Sequence, residues 1–241
     1  MYDYANILFS GPCNLGCYEC IGNEIDGVQS NLHQFPLINI DGLLSKVNEH
    51  DIPDLAFTGT NTDPQLYNFE RELIDYIKPV LTGRTKLSLH TNGLMALRKM
   101  DLFNMYDKAS VSLHSFKADT YENMTRAGNM PDISRIAEQA TIPLKLSMLV
   151  TEHNIDEIDE YVRKTADLGI SRVVVRKIKG REDLFPLEEI KPFNDQYVIK
   201  KVYNWPVYEI HGVEVTVCGF DKSTAKGLFL FSDGSLEEQL V

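Results

Sequence analysis

The chain has 241 residues, of which 43% are hydrophobic, so it can form one barrel-sized domain or two small ones with a substantial core. Its formal net charge is −11, which disfavours a long nucleic acid as partner because such partners usually require a basic face. No apolar stretch approaches the length of a membrane span, and the first residues lack the basic and apolar blocks of a signal peptide. We therefore expect a cytoplasmic protein that has no membrane partner.

Short apolar strands alternate with helical patterns over most of the chain. The predicted strands are residues 5–10, 54–58, 86–90, 109–114, 144–150 and 172–178. Apolar residues at four-residue steps predict helices over residues 69–78 and 154–168, the second ending at Gly169. Asp41 and Asp132 are the predicted N-caps of two further helices.

This alternation indicates parallel βα units, which wind right-handed. Six units are too few for a closed eight-fold barrel, so we predict an α/β fold: an open, partial (βα)6 TIM-like barrel over residues 1–184. A doubly wound open sheet is the alternative, and in both folds ligands collect at the carboxyl ends of the strands. The alternation fails after residue 184. Residues 185–241 are predicted to form a short extension, with strands at 211–217 and 227–231, that caps one mouth of the barrel.

Three cysteines follow the first predicted strand with the spacing C-x3-C-x2-C: Cys13, Cys17 and Cys20. Three thiolates on one loop suit an iron–sulfur cluster, which usually takes four, and they leave one iron open to bind another molecule. A disulfide framework is expected in a secreted chain with an even set of cysteines. Structural zinc usually takes two pairs of ligands, and the only other cysteine is Cys218.

The cysteine loop resembles the cluster loop of radical S-adenosylmethionine (SAM) enzymes. Residues 86–93 and 111–128 also resemble the corresponding segments of the molybdenum-cofactor-cyclase and SPASM-type branch of that superfamily, and the likeness spans residues 7–180. The resemblance implies that Cys13, Cys17 and Cys20 hold a [4Fe–4S] cluster and that SAM binds its open iron. It also implies a one-electron donor such as flavodoxin or ferredoxin.

The same resemblance implies which residues hold SAM. Where the family has a Gly-Gly-Glu-Pro turn for the SAM amino group, this chain has Gly59, Thr60 and Asn61, and Asp63 restores the charge if the loop is one residue longer. An aromatic residue usually precedes the third cysteine and packs near the adenine, whereas here Tyr18 stands one place earlier. The remaining implied SAM contacts are Thr91, Asn92, Ser112, Lys145, Ser147 and Arg176.

Two features bear on the substrate. Five basic residues lie within residues 172–181, and they form either a contact for an anionic substrate or a solvated charged face. His90 and His114 end neighbouring strands. Their side chains either line the site or take a hydrogen-bonded place in the core or at the rim of the barrel.

The extension resembles those that bind an auxiliary cluster in relatives, but its only cysteine is Cys218, so the molybdenum-cofactor cyclase activity itself is not carried over. Cys218 is interpreted as a buried thiol, a remnant of a lost cluster site or a hydrogen-atom donor to a substrate radical.

The sequence therefore predicts a radical SAM enzyme that makes a 5′-deoxyadenosyl radical and removes hydrogen from a small, anionic metabolite. Three alternatives stay open. The first is the same chemistry on a peptide or protein side chain. The second is a non-catalytic iron–sulfur sensing or binding module. The third is a binding barrel stabilised by zinc.

Overall fold

In the computed structural model, which describes residues 2–25, 29–219 and 223–239, one open sheet organises the chain. Its strands are β1 (Tyr4–Phe9), β2 (Asp54–Gly59), β3 (Lys86–Thr91), β4 (Lys108–Ser112), β5 (Leu144–Leu149), β6 (Arg172–Arg176), β7 (Lys200–Val202), β8 (Trp205–Ile210), β9 (Val213–Cys218), β10 (Gly227–Leu230) and β11 (Leu236–Glu237). They lie in the order β11-β10-β1-β2-β3-β4-β5-β6-β9-β8-β7. The run from β1 to β6 is parallel throughout, so the predicted partial barrel is confirmed.

Alternation along the strands separates an apolar outer face from a polar inner one. In β1, Ala5 and Ile7 belong to the hydrophobic core. The alternate positions of β3, β4 and β5 hold Ser88, Ser110 and Ser147, all less than 5% exposed. The concave face of the sheet, called the lumen below, is therefore lined with groups that can form hydrogen bonds.

The helices pack on the outer face and follow the predicted pattern. They are α1 (Ile40–Glu49), α2 (Glu70–Ile77), α3 (Met100–Phe103), α4 (Ala118–Thr125), α5 (Ile133–Gln139) and α6 (Ile158–Asp167). Two predictions about helix ends are confirmed. The Asp132 side chain accepts the Arg135 N–H and caps α5, and Gly169, with φ +72°, follows the end of α6.

The predicted cap at Asp41 is wrong. The N-cap of α1 is Asn39, in the left-handed region, and Asp41 lies inside the first turn. The Asp41 carboxylate instead accepts a hydrogen bond of 2.6 Å from the Tyr76 hydroxyl of α2. An acidic side chain in the first turn is favourable in either position, which is why the sequence pattern does not separate the two.

The C-terminal extension adds strands to both edges of the sheet. The sequence predicted only that it caps one mouth of the barrel. β9 pairs parallel to β6 and continues into the antiparallel hairpin with β8 and β7. β10 pairs parallel to β1 at the opposite edge. A six-stranded open sheet exposes unpaired backbone groups at two edges, and the extension satisfies both. The domain boundary at residue 184 stays a prediction.

The longest α-helices in the described ranges have 10 residues. None of the described helices combines the length and the apolar character needed to cross a membrane.

Asn31 fastens the returning end of the cysteine loop to the end of β1. Its side chain accepts the Ser10 N–H at 2.9 Å and donates to the Leu8 carbonyl at 3.1 Å, and its own N–H donates to the Ser10 carbonyl at 3.1 Å. Only 3% of Asn31 is exposed, so these bonds are made away from water. The two ends of the loop are held together by one buried side chain.

Replacing Asn31 with Ala should lower the free energy of unfolding by about 1–3 kcal/mol, because a buried N–H and a buried carbonyl lose their partner. Asn48 is the matched control, since its amide makes similar bonds to Val80 and Thr82 at a more exposed place. Asn48→Ala should cost less than about 1 kcal/mol. Urea denaturation measures the free energy of unfolding of both variants. Equal losses would contradict the role of Asn31 in holding the two ends of the cysteine loop together.

Candidate functional site

The cysteine loop leaves β1 at the carboxyl edge of the sheet, where the fold collects ligands. All three loop cysteines are free thiols; Cys13 is exposed, and Cys17 and Cys20 are half-buried. Among the described residues, no three His, Cys, Asp or Glu side chains are arranged as a metal-binding set. The three thiols therefore remain a predicted ligand set that lies on one loop.

The electrostatics of these thiols fit a cationic ligand. Burial raises the pKa of Cys17 to about 12, and the charges of Cys20 and Cys13 add to the shift. Burial also raises the pKa of Cys13, to which Asp63 and Cys20 contribute. The thiols are close enough to oppose each other's ionisation. Three such thiolates need a positive partner, which the iron of a cluster provides.

The last turn of α4 holds the middle of the loop. The Gly16 N–H donates to the Thr125 carbonyl, and the Tyr18 N–H donates to the Met124 carbonyl, each at 2.9 Å. These two bonds flank Cys17 on either side. Carbonyls at the end of a helix lack partners within it, so the loop supplies the donors that this end requires.

The exit loop of β2 braces the loop from the other side. Asn61 accepts the Gly11 N–H at 3.1 Å, and the Thr62 hydroxyl donates to the Pro12 carbonyl at 2.7 Å. Thr60 is 4% exposed, and its carbonyl lies 4.0 Å from the Cys20 sulfur. The side chains predicted to bind SAM here support the cysteine loop, and their contact with SAM stays a prediction.

Two glycines make this close approach possible. A Cβ on Gly22 would lie 2.4 Å from the Thr60 carbonyl oxygen, and one on Gly59 would collide with the Thr62 carbonyl. Any side chain at either position would push the β2 exit loop away from the cysteines.

Asp63 ties the ends of β2 and β3 together. Its buried carboxylate accepts from the Thr91 hydroxyl at 2.9 Å, the Asn92 N–H at 2.6 Å and the Gln65 N–H at 2.9 Å. The Asn92 amide then donates to Asn14, inside the cysteine loop, at 2.7 Å. Two of the predicted SAM residues, Thr91 and Asn92, are thus fixed by a carboxylate and joined to the cluster loop.

The lumen brings together predicted residues from four strands. Arg176 donates from Nε to the Ser147 hydroxyl at 3.0 Å, and its Nη1 lies 3.9 Å from the Cys218 sulfur. Ser112 is paired in register with Ser147. Burial raises the pKa of the Cys218 thiol, while the Arg176 charge opposes that rise.

Lys145 is a lumen cation that forms no salt bridge among the described residues. Asp54 pairs with Lys108 at 3.0 Å, and its charge also acts on Lys145. Burial lowers the pKa of Lys145 to about 8, and the charge of Arg176 adds to the shift. Burial, followed by the charges of Lys145 and Arg176, keeps the pKa of His90 well below its usual value. The lumen is thus locally positive in a chain of net charge −11.

Three of the other basic residues in this run form salt bridges with glutamates. Lys177 pairs with Glu188 at 3.1 Å. Lys179 lies 3.8 Å from Glu24, and Arg181 pairs with Glu19 inside the cysteine loop. For these three residues, salt bridges account for the charge.

A small pocket beside Cys17 contains Tyr18, His114, Leu149 and Thr151. Tyr18 is 50% exposed, so its ring is free to cover a ligand in this pocket. His114 accepts the Leu149 N–H at Nδ1, at 3.2 Å, and burial lowers its pKa to about 4. His114 is therefore a neutral ring whose Nε2 carries the proton.

Sequence reasoning missed Asn14, Asn31 and Glu19, which connect the loop to β3, to β1 and to Arg181. Polar residues between cysteines signal an ordinary turn, and nothing in their spacing shows which distant backbone they meet.

The raised pKa of Asp63, about 6 against 3.8 in an unfolded chain, gives a prediction with a definite sign. The folded state binds this proton more tightly, so its contribution to stability is present below pH 3.8 and lost as pH rises through about 6. Wild type should lose roughly 2–3 kcal/mol relative to Asp63→Asn between pH 4 and pH 7. Urea denaturation at several pH values measures the free energy of unfolding of both proteins. If it varied with pH in the same way for wild type and Asp63→Asn, the prediction would be wrong.

Comparison with known proteins adds family-level information. No family model matches the chain. It is 26% identical over 220 residues to GTP 3′,8-cyclase of Lactiplantibacillus plantarum, covering 85% of this chain and 61% of the relative. It is 24% identical over 222 residues to probable GTP 3′,8-cyclase of Saccharolobus islandicus, covering 84% and 69%. The chain spans only 61% and 53% of the first two curated relatives.

Solved structures show the fold. SuiB of Streptococcus suis, bound to S-adenosylmethionine, superposes with a TM-score of 0.69 at 13% identity over 99% of this chain and 58% of that one. The enzyme anSMEcpe with bound AdoMet gives a TM-score of 0.51 at 15% identity over 74% and 52%. Together with the C-x3-C-x2-C loop at the carboxyl edge of a partial barrel, the sequence likeness to the cyclases supports the radical SAM superfamily, and the solved structures show the fold.

Proposed function

We propose that this chain binds a [4Fe–4S] cluster through Cys13, Cys17 and Cys20, binds SAM at the open iron, and acts on a small anionic metabolite. When bound and reduced, cluster and SAM together supply a 5′-deoxyadenosyl radical able to remove hydrogen from a substrate. The observation that carries the proposal is the placement of three free thiols on the loop that follows β1, at the edge of a lumen that holds the cations Lys145 and Arg176.

The chain's own residues would orient SAM at this edge. Asn92 is fixed by Asp63 and lies next to the cysteine loop, so its position does not depend on a flexible side chain. The pocket of Tyr18, His114, Leu149 and Thr151 lies beside Cys17 and offers an aromatic ring and a neutral N–H donor. These groups suit a flat heterocycle such as adenine.

Lys145 and Arg176 would hold the substrate. Both line the lumen, and Arg176 has more N–H donors than its contacts with Ser147 and Cys218 use among the described residues. Two cations in a partly buried space attract a carboxylate or a phosphate more strongly than they would in water. The relatives named GTP 3′,8-cyclase carry the name of an anionic nucleotide, which agrees with an anionic substrate for this chain.

Cys218 is the proposed hydrogen-atom donor, because its thiol lies on the lumen face beside Arg176 and keeps its proton. A small one-electron donor protein such as flavodoxin or ferredoxin is the proposed partner for reduction.

Anaerobic reconstitution with iron and sulfide, followed by reduction with SAM, tests the proposal. Wild type should bind about four irons and form 5′-deoxyadenosine. Cys17→Ser should lose both, whereas Cys218→Ala, which also removes one thiol, should still bind iron and cleave SAM. Transfer of deuterium from a labelled anionic metabolite into 5′-deoxyadenosine would identify the substrate. Wild-type protein that takes up no iron would overturn the proposal, and iron without SAM cleavage would favour a sensing module.

The lowered pKa of Lys145 predicts a pH effect on substrate binding. Lys145 is charged below about pH 8 and neutral above it, so the apparent affinity for an anionic substrate should fall as pH rises from 7 to 9. Lys145→Arg keeps its charge over this range and should flatten the profile. The substrate KM measured by deuterium transfer checks this, and identical profiles for the two proteins would argue against contact with Lys145.

A further inference from the structure

The second half of the cysteine loop is held differently from the first. Up to Tyr18, backbone groups of the loop bond to the β2 exit loop and to α4. Beyond Tyr18, the loop's backbone hydrogen bonds in the described part of the chain are local, from Asn23 to Cys20 at 3.0 Å and from Ile25 to Gly22 at 3.4 Å. Besides the packing of Gly22 against the β2 exit loop, two glutamate side chains connect this half to the rest of the protein.

Both glutamates pair with one segment, residues 177–184 after β6, called the β6 exit loop below. Arg181 binds Glu19, which lies between the second and third cysteines, and Lys179 lies 3.8 Å from Glu24. Only 17% of the Glu19 side chain is exposed, against 56% for Glu24. A charge-assisted bond to the less exposed carboxylate is screened less by water and salt, so the bond between Arg181 and Glu19 is the stronger connection.

The β6 exit loop has a firm base. The Lys177 N–H donates to the Cys218 carbonyl at 2.9 Å, so the pairing of β6 with β9 continues into this loop. Ile178 is buried, and its carbonyl accepts the Arg181 N–H at 3.1 Å across a turn in which Gly180 has φ +68°. Arg181 is therefore presented to the cysteine loop from a tight turn at the end of the sheet.

Glu19 is also part of the pocket beside Cys17. It lines that pocket together with Tyr18 and His114, whereas Arg181 is not among the lining residues. An unpaired Glu19 carboxylate would oppose the ionisation of the nearby thiols that a cluster requires. Arg181 supplies the opposite charge from outside the pocket, so it acts on a ligand there through Glu19.

We propose that Arg181 is a positioning residue for the pocket beside Cys17: through Glu19 it holds the segment from Tyr18 to Cys20 as the wall of that pocket and thereby raises the affinity for SAM. The inference rests on the proposed function, because SAM is the ligand which that function assigns to the pocket. A pocket whose wall is in place only part of the time binds its ligand more weakly by that fraction. Loss of the bond should therefore weaken SAM binding and leave the cleavage of bound SAM unchanged.

Arg181→Gln and Glu19→Gln test this, because each removes one charge of the pair. The dissociation constant for SAM is measured by anaerobic equilibrium dialysis on reconstituted protein, with the iron content and the thermal unfolding midpoint of each preparation. Both variants should bind SAM about three- to tenfold more weakly at the wild-type iron content. The double variant should bind SAM no more weakly than either single variant, because there is only one interaction to lose.

Two further measurements separate positioning from a general loss of structure. Salt screens an ion pair that is partly exposed, so the difference in SAM affinity between wild type and Arg181→Gln should shrink from about 0.05 M to about 0.5 M salt. At saturating SAM, both reduced proteins should form 5′-deoxyadenosine at the same rate. The variant should thus raise the KM for SAM and keep the wild-type kcat.

Lys177→Gln is the matched control. It breaks an ion pair of the same β6 exit loop, at 3.1 Å, whose partner Glu188 lies outside the cysteine loop. This variant should keep the wild-type affinity for SAM. Arg181→Lys keeps the charge and should lie closer to wild type than Arg181→Gln does.

Each other outcome has a defined meaning. Wild-type affinity for SAM in folded Arg181→Gln or Glu19→Gln would overturn the inference and leave the proposed function intact. An equal loss in Lys177→Gln, a double variant that binds SAM more weakly than both single variants, or single variants that do not fold or take up no iron would also overturn it. Wild-type protein that takes up no iron, or that takes up iron and binds no SAM, would instead remove the proposed function on which the inference rests.

Discussion

The site depends on a short loop held between two rigid elements. On one side, the last carbonyls of α4 accept the N–H groups of Gly16 and Tyr18. On the other, the β2 exit loop bonds to Gly11 and Pro12. Three thiols on a free loop would lose much conformational freedom on binding a cluster. Because helix and sheet already fix this loop, most of that ordering is complete when the chain folds.

A network of hydrogen bonds connects the cysteine loop to the strand ends that border the lumen. Asp63 joins the ends of β2 and β3, and Asn92 continues the connection to Asn14. The desolvation that raises the pKa of Asp63 shows that burying this carboxylate is costly. The Asp63 carboxylate therefore contributes to the geometry of the site more than to stability. Three donors converge on it, and these bonds fix the ends of both strands.

The repeated part of the fold was predictable from sequence, because burial on one face imposes a period on each strand and helix. The place of the cysteine loop at the carboxyl edge of the sheet was predictable because it directly follows the first strand. Two strands of the extension were predicted close to β9 and β10. Their places at the sheet edges were not, since each pairs with a strand more than 40 residues away along the chain. The same reason hides the roles of Thr60 and Asn61. Their residue types suggest ligand contacts, and only the fold shows that they bond to the Phe9 carbonyl at the end of β1 and to the Gly11 N–H in the loop.

Charge pairing explains how an acidic chain keeps a positive lumen. Glu19 and Glu24 would add negative charge next to the three thiols, but Arg181 and Lys179 lie against them. The basic run thus offsets the acidic groups of the loop, and its inward-facing member, Arg176, stays with Lys145 in the lumen. Coulomb interactions are stronger in a partly buried space than at the surface, so these two charges govern the local field despite the net charge of −11. The lumen therefore presents a positive inner wall to an anionic molecule that enters it beneath the cysteine loop.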